Sequence, residues 1–290
     1  MSSQRKIIPL SELPLRNDFM FAEVMRTSEI CQLFLEELLG INIQRIEFID
    51  KQKDLSDSYT HHGIRLDVYL KDEAGTVFNV EMQSTNHDDL PRRARFYQSA
   101  IDRSELSKNT HYEELSESYI IFICDFDYFQ IGKAVGERLS VLKGTEMLYD
   151  DGSHVFFLNS HYTEGNASQS ILEFLDMIRT NDLEKPYETI LGQKAKARVQ
   201  AVRNDKELEV AYMTYAQKML DERRYGFNEG LAEGKVRGRE EGREEGREEG
   251  RSEALKGAVL AMKDLAAPAD IAQRLKLSLE RVLEILNQET

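Results

Sequence analysis

Apolar residues in the first forty positions recur near the helical period. Phe19, Ala22, Ile30, Phe34, Leu35 and Leu38, with Glu23 and Arg26 in the same register, predict one helix from about Asn17 to Leu39. Gly40 supplies its stop, and Asn17 or Asp18 its N-cap. The period then falls to two. Ile43 to Ile49 alternates imperfectly, as a strand does. After a polar stretch, KQKDLSDSYTHHG, expected to be a loop or a short edge hairpin, come two further strands, Ile64 to Leu70 and Thr76 to Gln83. Lys71 to Gly75 joins them with Asp and Gly at a hairpin turn.

Leu90-Pro91 opens a helix running to about Leu106, with proline in its first turn. The run SYIIFICDF, Ser118 to Phe126, is apolar on both faces, as a central strand covered on both sides would be. His154 to Asn159 predicts another strand and Ser168 to Thr180 another helix. This order predicts an α/β fold: a mixed sheet of about five strands flanked by helices, filling residues 1–190.

Beyond it the pattern is helical and highly charged over residues 191–251. Gly230, Gly234, Gly238, Gly242, Gly246 and Gly250 recur every four residues, and Arg and paired Glu keep the same period. Glu three residues before Arg supplies side-chain pairs that offset part of the helix penalty of glycine, about 1 kcal/mol each. A helix with a bare stripe, suited to pairing with a second copy, is therefore expected; a flexible linker is the alternative. Residues 252–290 form a small helical unit, with helices at Ala269 to Leu275 and Ser278 to Leu286.

Composition narrows the function classes. With 290 residues, 41% hydrophobic and 31% charged, the chain can bury a core and is not disordered throughout. No apolar run approaches the roughly 20 residues of a membrane span. The first ten residues, MSSQRKIIPL, lack an apolar signal segment, so a cytoplasmic protein is expected. Two cysteines, Cys31 and Cys124, sit in apolar patterns and read as buried thiols. A net charge of −14 argues against a uniformly basic nucleic-acid-binding surface but leaves room for a local basic groove.

The chemistry concentrates in Gly63 to Gln83. Alternation puts Arg65, Asp67 and Tyr69 on one face of the first strand, and Val77, Asn79, Glu81 and Gln83 on one face of the second. In one register Asp67 lies opposite Asn79 and diagonal to Glu81; two residues further along it lies opposite Glu81. Either way two carboxylates meet. Hard oxygen ligands on a sheet suit magnesium or manganese, which take up phosphate oxygens and activate water. An exposed strand pair with alternating charge, Arg65 neutralising Asp67 or Glu81, gives the same pattern without chemistry.

Six segments, in order, resemble one family: NDFMF (Asn17 to Phe21), IRLDVY (Ile64 to Tyr69), FNVEMQ (Phe78 to Gln83), LPRRARFY (Leu90 to Tyr97), YIIFICDFD (Tyr119 to Asp127) and the glycine repeat. The chain resembles the Rpn recombination-promoting nucleases, or transposases, of the PD-(D/E)XK superfamily. The resemblance implies a restriction-endonuclease-like core, DNA as substrate and a divalent metal, Mg or Mn. It implies Asp67 as the motif aspartate and Glu81 as the second acid, both holding metal. Gln83 stands where most of the superfamily has lysine, a departure the Rpn family shares. It would orient the attacking water without adding charge.

Arg92 and Arg95 at the start of the following helix are expected to hold phosphates, with Gln98 a weaker DNA-binding candidate and Tyr97 a packing residue. A solvated helix face is the alternative for the arginines. Asp18 either lies by the site or caps the first helix. The leading expectation is a magnesium-dependent DNA endonuclease, dimeric through its C-terminal helices. Its rival is a DNA-binding or protein-interaction module on a catalytically silent nuclease fold; a helical scaffold without nucleic-acid affinity is a third reading.

Overall fold

The computed structural model describes residues 7–48, 67–106 and 111–287. The polar stretch at 51–63, Arg65 and the beginning of the strand expected from Ile64 lie outside the described residues.

The single N-terminal helix expected from the sequence is two helices. α1 spans Asp18–Met25 and α2 Ser28–Leu39. The break is in the backbone. Met20, Val24, Cys31 and Leu35 keep one buried stripe through both helices. Thr27 between them is extended (φ -75°, ψ 108°), and its carbonyl accepts from the Ile30 and Cys31 N–H groups, so a new helix starts there. Asn17 is the cap of α1, its side chain accepting from the Phe19 N–H at 3.0 Å, and Gly40 closes α2 in the left-handed region at φ 68°.

The following elements are β1 (Ile46–Phe48), β2 (Val68–Asp72), β3 (Val77–Gln83), α3 (Leu90–Glu105), β4 (Ser118–Cys124), β5 (Val135–Glu137), β6 (Ser153–Asn159), α4 (Gln169–Thr180) and α5 (Ile190–Arg203). Among the described residues the sheet has six strands, in the order β1-β2-β3-β4-β6-β5. β3, β4 and β6 run parallel, and the others pair antiparallel at the two sides. The sequence reading missed β5. It is an edge strand of three residues, Val-Gly-Glu, too short to show alternation.

β3 is buried along all seven residues. One face carries Phe78 and Val80; the other carries Val77, Asn79, Glu81 and Gln83. α3 covers this second face. Its Leu90, Ala94, Tyr97, Ala100 and Ile101 pack with Val77, Ile120, Phe122 and Val155. The expected alternative of an exposed, charge-alternating strand therefore does not hold for β3. Burying these side chains stabilises the fold by about 25 cal/mol per Å² of apolar surface removed from water.

Two compact units follow from the packing, Met1–Thr214 and Tyr215–Thr290. α5 belongs to the first: Arg198 Nε donates to the Glu23 carbonyl at 3.3 Å, and Arg203 Nη2 to the Leu13 carbonyl at 2.9 Å. The charged segment expected from residue 191 thus begins within the sheet unit. α6 (Lys206–Ala261) is a continuous helix that includes the glycine repeat. In the second unit, α7 (Pro268–Leu275) and α8 (Leu279–Asn287) enclose a small core of Val259, Ile271, Ala272, Val282 and Ile285. Among the described residues no helix is long and apolar enough to cross a membrane.

Candidate active site

The turn between β2 and β3 decides the register. Asp72 accepts from the Ala74 and Thr76 N–H groups at 2.9 and 2.8 Å, and its own N–H donates to the Thr76 carbonyl. These bonds pair Val68 with Val80 and Leu70 with Phe78. Of the two registers open from the sequence, this is the one that carries Asp67 across to Glu81.

The two acids interlock. The Asp67 N–H donates to Glu81 Oε1 at 3.3 Å, and Asp67 Oδ2 accepts from the Met82 N–H at 3.0 Å. Arg26, at the break between α1 and α2, donates to the Asp67 carbonyl at 3.1 Å. Glu81 is only 2% exposed. Burial, and then the like charge of Asp67, pushes its carboxyl well above the usual carboxylate range.

A cleft of about 270 Å³ opens over this pair. Asp18, Asp67, Glu81, Gln83, Arg93 and Tyr97 are in its wall, together with the loop residues Ser84, Thr85 and His87. Asp18 thus lines the cleft, and the cap of α1 is its neighbour Asn17. The structure also brings in Arg93, which the sequence reading passed over. Its Nη1 donates to Gln83 Oε1 at 2.6 Å and its Nη2 to the Tyr97 hydroxyl at 2.9 Å. Nη2 stands 3.9 Å from Glu81 Oε2. A signal existed: Arg93 is three residues from Leu90 and four from Tyr97, beside the apolar stripe that must face the sheet.

Arg92 and Arg95 are on the exposed face of α3. They are not among the cleft's lining residues. Gln98 is committed elsewhere. Its Nε2 donates to Asp102 Oδ1 at 2.8 Å and to Ser118 Oγ at 2.7 Å. Ser118 is paired with Val77, six residues back along β3 from Gln83, so Gln98 holds the helix to the far end of the strands. Tyr97, expected as packing, is both core and cleft wall. Cys31 and Cys124 are free and buried, as expected, and burial pushes the Cys124 thiol up to about 12.

The family model for PD-(D/E)XK nuclease family transposases matches residues 15–225. The chain belongs to this family. No curated protein and no solved structure gives a significant match. The match agrees with the resemblance read from the motifs and covers every element from α1 to α5. Membership supports a nuclease- or transposase-like function, and PD-(D/E)XK nucleases generally use divalent metal ions.

The residues present fit such an ion. Among the described residues no three His, Cys, Asp or Glu side chains cluster at metal-holding spacing. Magnesium does not require it: one or two carboxylates suffice, with waters and substrate phosphates completing the shell. Asp67 and Glu81 are such a pair, held on adjacent strands by the bonds described and both in the wall of the cleft.

Proposed function

We propose that this PD-(D/E)XK family member is a magnesium- or manganese-dependent DNA endonuclease. The observation that carries the reading is the interlocked Asp67–Glu81 pair at the wall of a cleft that also holds Gln83 and Arg93. Asp67 and Glu81 would hold the ion, which when bound supplies Lewis acidity toward the phosphate and a lowered pKa for water. The chain's own groups do the rest. The backbone bonds fix both carboxylates, so little ordering is needed when DNA arrives. Gln83, in the cleft wall, helps to place the reacting groups, the attacking water among them. Arg92 and Arg95, exposed on the helix that flanks the cleft, contact backbone phosphates. Asp18, also in the cleft wall, is a further oxygen donor toward water or ion.

The second unit supports a further part of the reading, a homodimer that would bring two sites to the two strands of a duplex. Its basis is the helical state of the glycine repeat, whose glycines leave open space on the helix.

One experiment tests the core claim. Purified protein is incubated with supercoiled plasmid in magnesium or in chelator, beside Asp67→Ala. Nicked or linear product that needs magnesium and Asp67 is expected. DNA binding without cleavage under every divalent ion would instead favour the silent module. That rival has its own support in Gln83, an uncharged residue at the position where the superfamily has lysine.

A further inference from the structure

Gln83 has two chemically different ends, and the structure fixes which end faces which way. Arginine carries only donors, so the Gln83 atom 2.6 Å from Arg93 Nη1 must be the carbonyl oxygen. The amide nitrogen is therefore directed away from Arg93. Gln83 is 7% exposed and in the wall of the cleft. Its N–H groups are donors held in place by a neighbour rather than a side chain free to rotate.

Arg93 is itself held. Its guanidinium lies 5.5 Å from the centre of the Tyr97 ring and 5.8 Å from that of Phe122, and Tyr97 accepts its second bond. Such a guanidinium keeps its charge at any working pH, and its fork of donors serves two acceptors at once. It stands within reach of Glu81 at 3.9 Å and of Asp89 at 4.0 Å. The catalysed reaction gathers negative charge on phosphate oxygens, in a cleft already walled by Asp18, Asp67 and Glu81. Preorganised donors and a fixed cation are what such a transition state requires.

We infer that Arg93 and Gln83 act as one unit: Arg93 is a positioning residue that locks the Gln83 carbonyl, turns its amide N–H toward the reacting phosphate, and supplies the positive charge that Gln83 lacks. The inference rests on the nuclease reading above. It explains how an uncharged residue serves at this strand position, since the cation comes from one turn into α3 instead.

The test uses the full chain, with single-turnover plasmid cleavage and Mn²⁺ affinity by calorimetry as separate readouts. Arg93→Gln is expected to lower the cleavage rate by roughly 10²–10³-fold, the usual cost of one such donor. Its Mn²⁺ affinity should be unchanged or tighter, because a cation beside Glu81 is gone. Adding Gln83→Lys to Arg93→Gln returns charge to the site from the strand and should recover at least about tenfold. Cleavage by Arg93→Gln within about threefold of wild type overturns the inference, as does lost Mn²⁺ affinity in step with activity, or a double variant no faster than Arg93→Gln. Should Arg93→Gln not fold, Arg93→Lys takes its place. A single ammonium cannot serve both Gln83 and Tyr97, so a strong loss of rate with intact Mn²⁺ affinity is expected, and a wild-type rate overturns the idea. Asp67→Ala separates the two levels. If wild type cuts no faster than Asp67→Ala, the nuclease reading itself fails and takes this inference with it. If wild type cuts, Asp67→Ala does not and Arg93→Gln does, only the Arg93 role fails.

Discussion

Asp67 and Glu81 each bind the other's strand, the Asp67 N–H on Glu81 Oε1 at 3.3 Å and the Met82 N–H on Asp67 Oδ2 at 3.0 Å. Two substitutions at Asp67 should therefore part company. Asp67→Ala strands a part-buried backbone donor and is expected to cost about 1–3 kcal/mol of stability as well as cleavage. Asp67→Asn retains an acceptor for Met82, so it should fold with near-normal stability and still not cut. Urea melts of both variants check this; equal stability would mean the Met82 bond contributes nothing.

Glu81 gives a pH dependence with a definite sign. Its carboxyl titrates above the usual range in the folded chain, through burial and then the charge of Asp67. Between the ordinary glutamate range and that raised value, the folded protein binds the proton that the unfolded chain has lost. Stability without metal therefore falls as pH rises through this window and stays lowered above it. Glu81→Gln removes the effect. It should melt higher than wild type at pH 8 and lose the advantage near pH 4. Each 1 kcal/mol corresponds to about 2–4 °C in a unit of this size. Magnesium should raise the melting temperature of wild type but not of Glu81→Gln. Parallel melting curves at all pH values would contradict this account.

At Gln83, truncation to alanine should separate rate from binding. The side chain makes one bond to Arg93 and has little exposed surface for a DNA backbone. Gln83→Ala is expected to lower turnover of bound DNA strongly while fluorescence anisotropy shows only a modest loss of affinity. A collapse in affinity with unchanged turnover would make Gln83 a binding residue.

The glycine repeat yields a prediction on assembly. In the single chain a methyl group added at Gly230, Gly242 or Gly250 would meet nothing within 4 Å. Glycine to alanine there should stabilise a lone helix by about 1 kcal/mol per site. If a second copy packs along the stripe, Gly242→Leu weakens the dimer instead, and truncation near Tyr225 gives a monomeric core. Sedimentation of the full, substituted and truncated chains decides between them; one oligomeric state for all three removes the dimer.

Much of this architecture was legible because local pattern and final packing agree. The run from Tyr119 to Cys124 and the proline-started α3 read correctly from periodicity and turn chemistry, and so did the β2–β3 hairpin, except that β2 runs on through Lys71 and Asp72 into the expected turn. The failures have physical causes. The α1–α2 break depends on one extended residue, Thr27, which leaves the apolar stripe in phase and so leaves no mark on it. The choice of register depends on how the Asp72 side chain closes its turn. The burial of the Glu81 face depends on where α3 docks, and so does the identity of the arginine at the site. Arg92, Arg93 and Arg95 are chemically alike in a sequence, and only the rotation of the helix on the sheet brings Arg93 to Gln83. Gln98 shows the same limit, since its partner Ser118 is twenty residues away.

The bonds from α5 to the N-terminal segment carry a consequence for synthesis. Leu13 and Glu23 are made first, yet the arginines that accept this early chain as a neighbour, Arg203 and Arg198, come 190 and 175 residues later. At about 5–20 residues per second, the ribosome needs roughly 10–40 s to supply them. During that interval α1, which brings Asp18 to the cleft and is followed by Arg26 at the Asp67 carbonyl, has no α5 to rest on. The two acids, only 14 residues apart, can meet early in their hairpin, whereas the Asp18 part of the cleft wall waits for α5 to support it. A chain interrupted before residue 190 would thus contain both acids and the strands that bear them, without the support that holds one wall of the cleft in place.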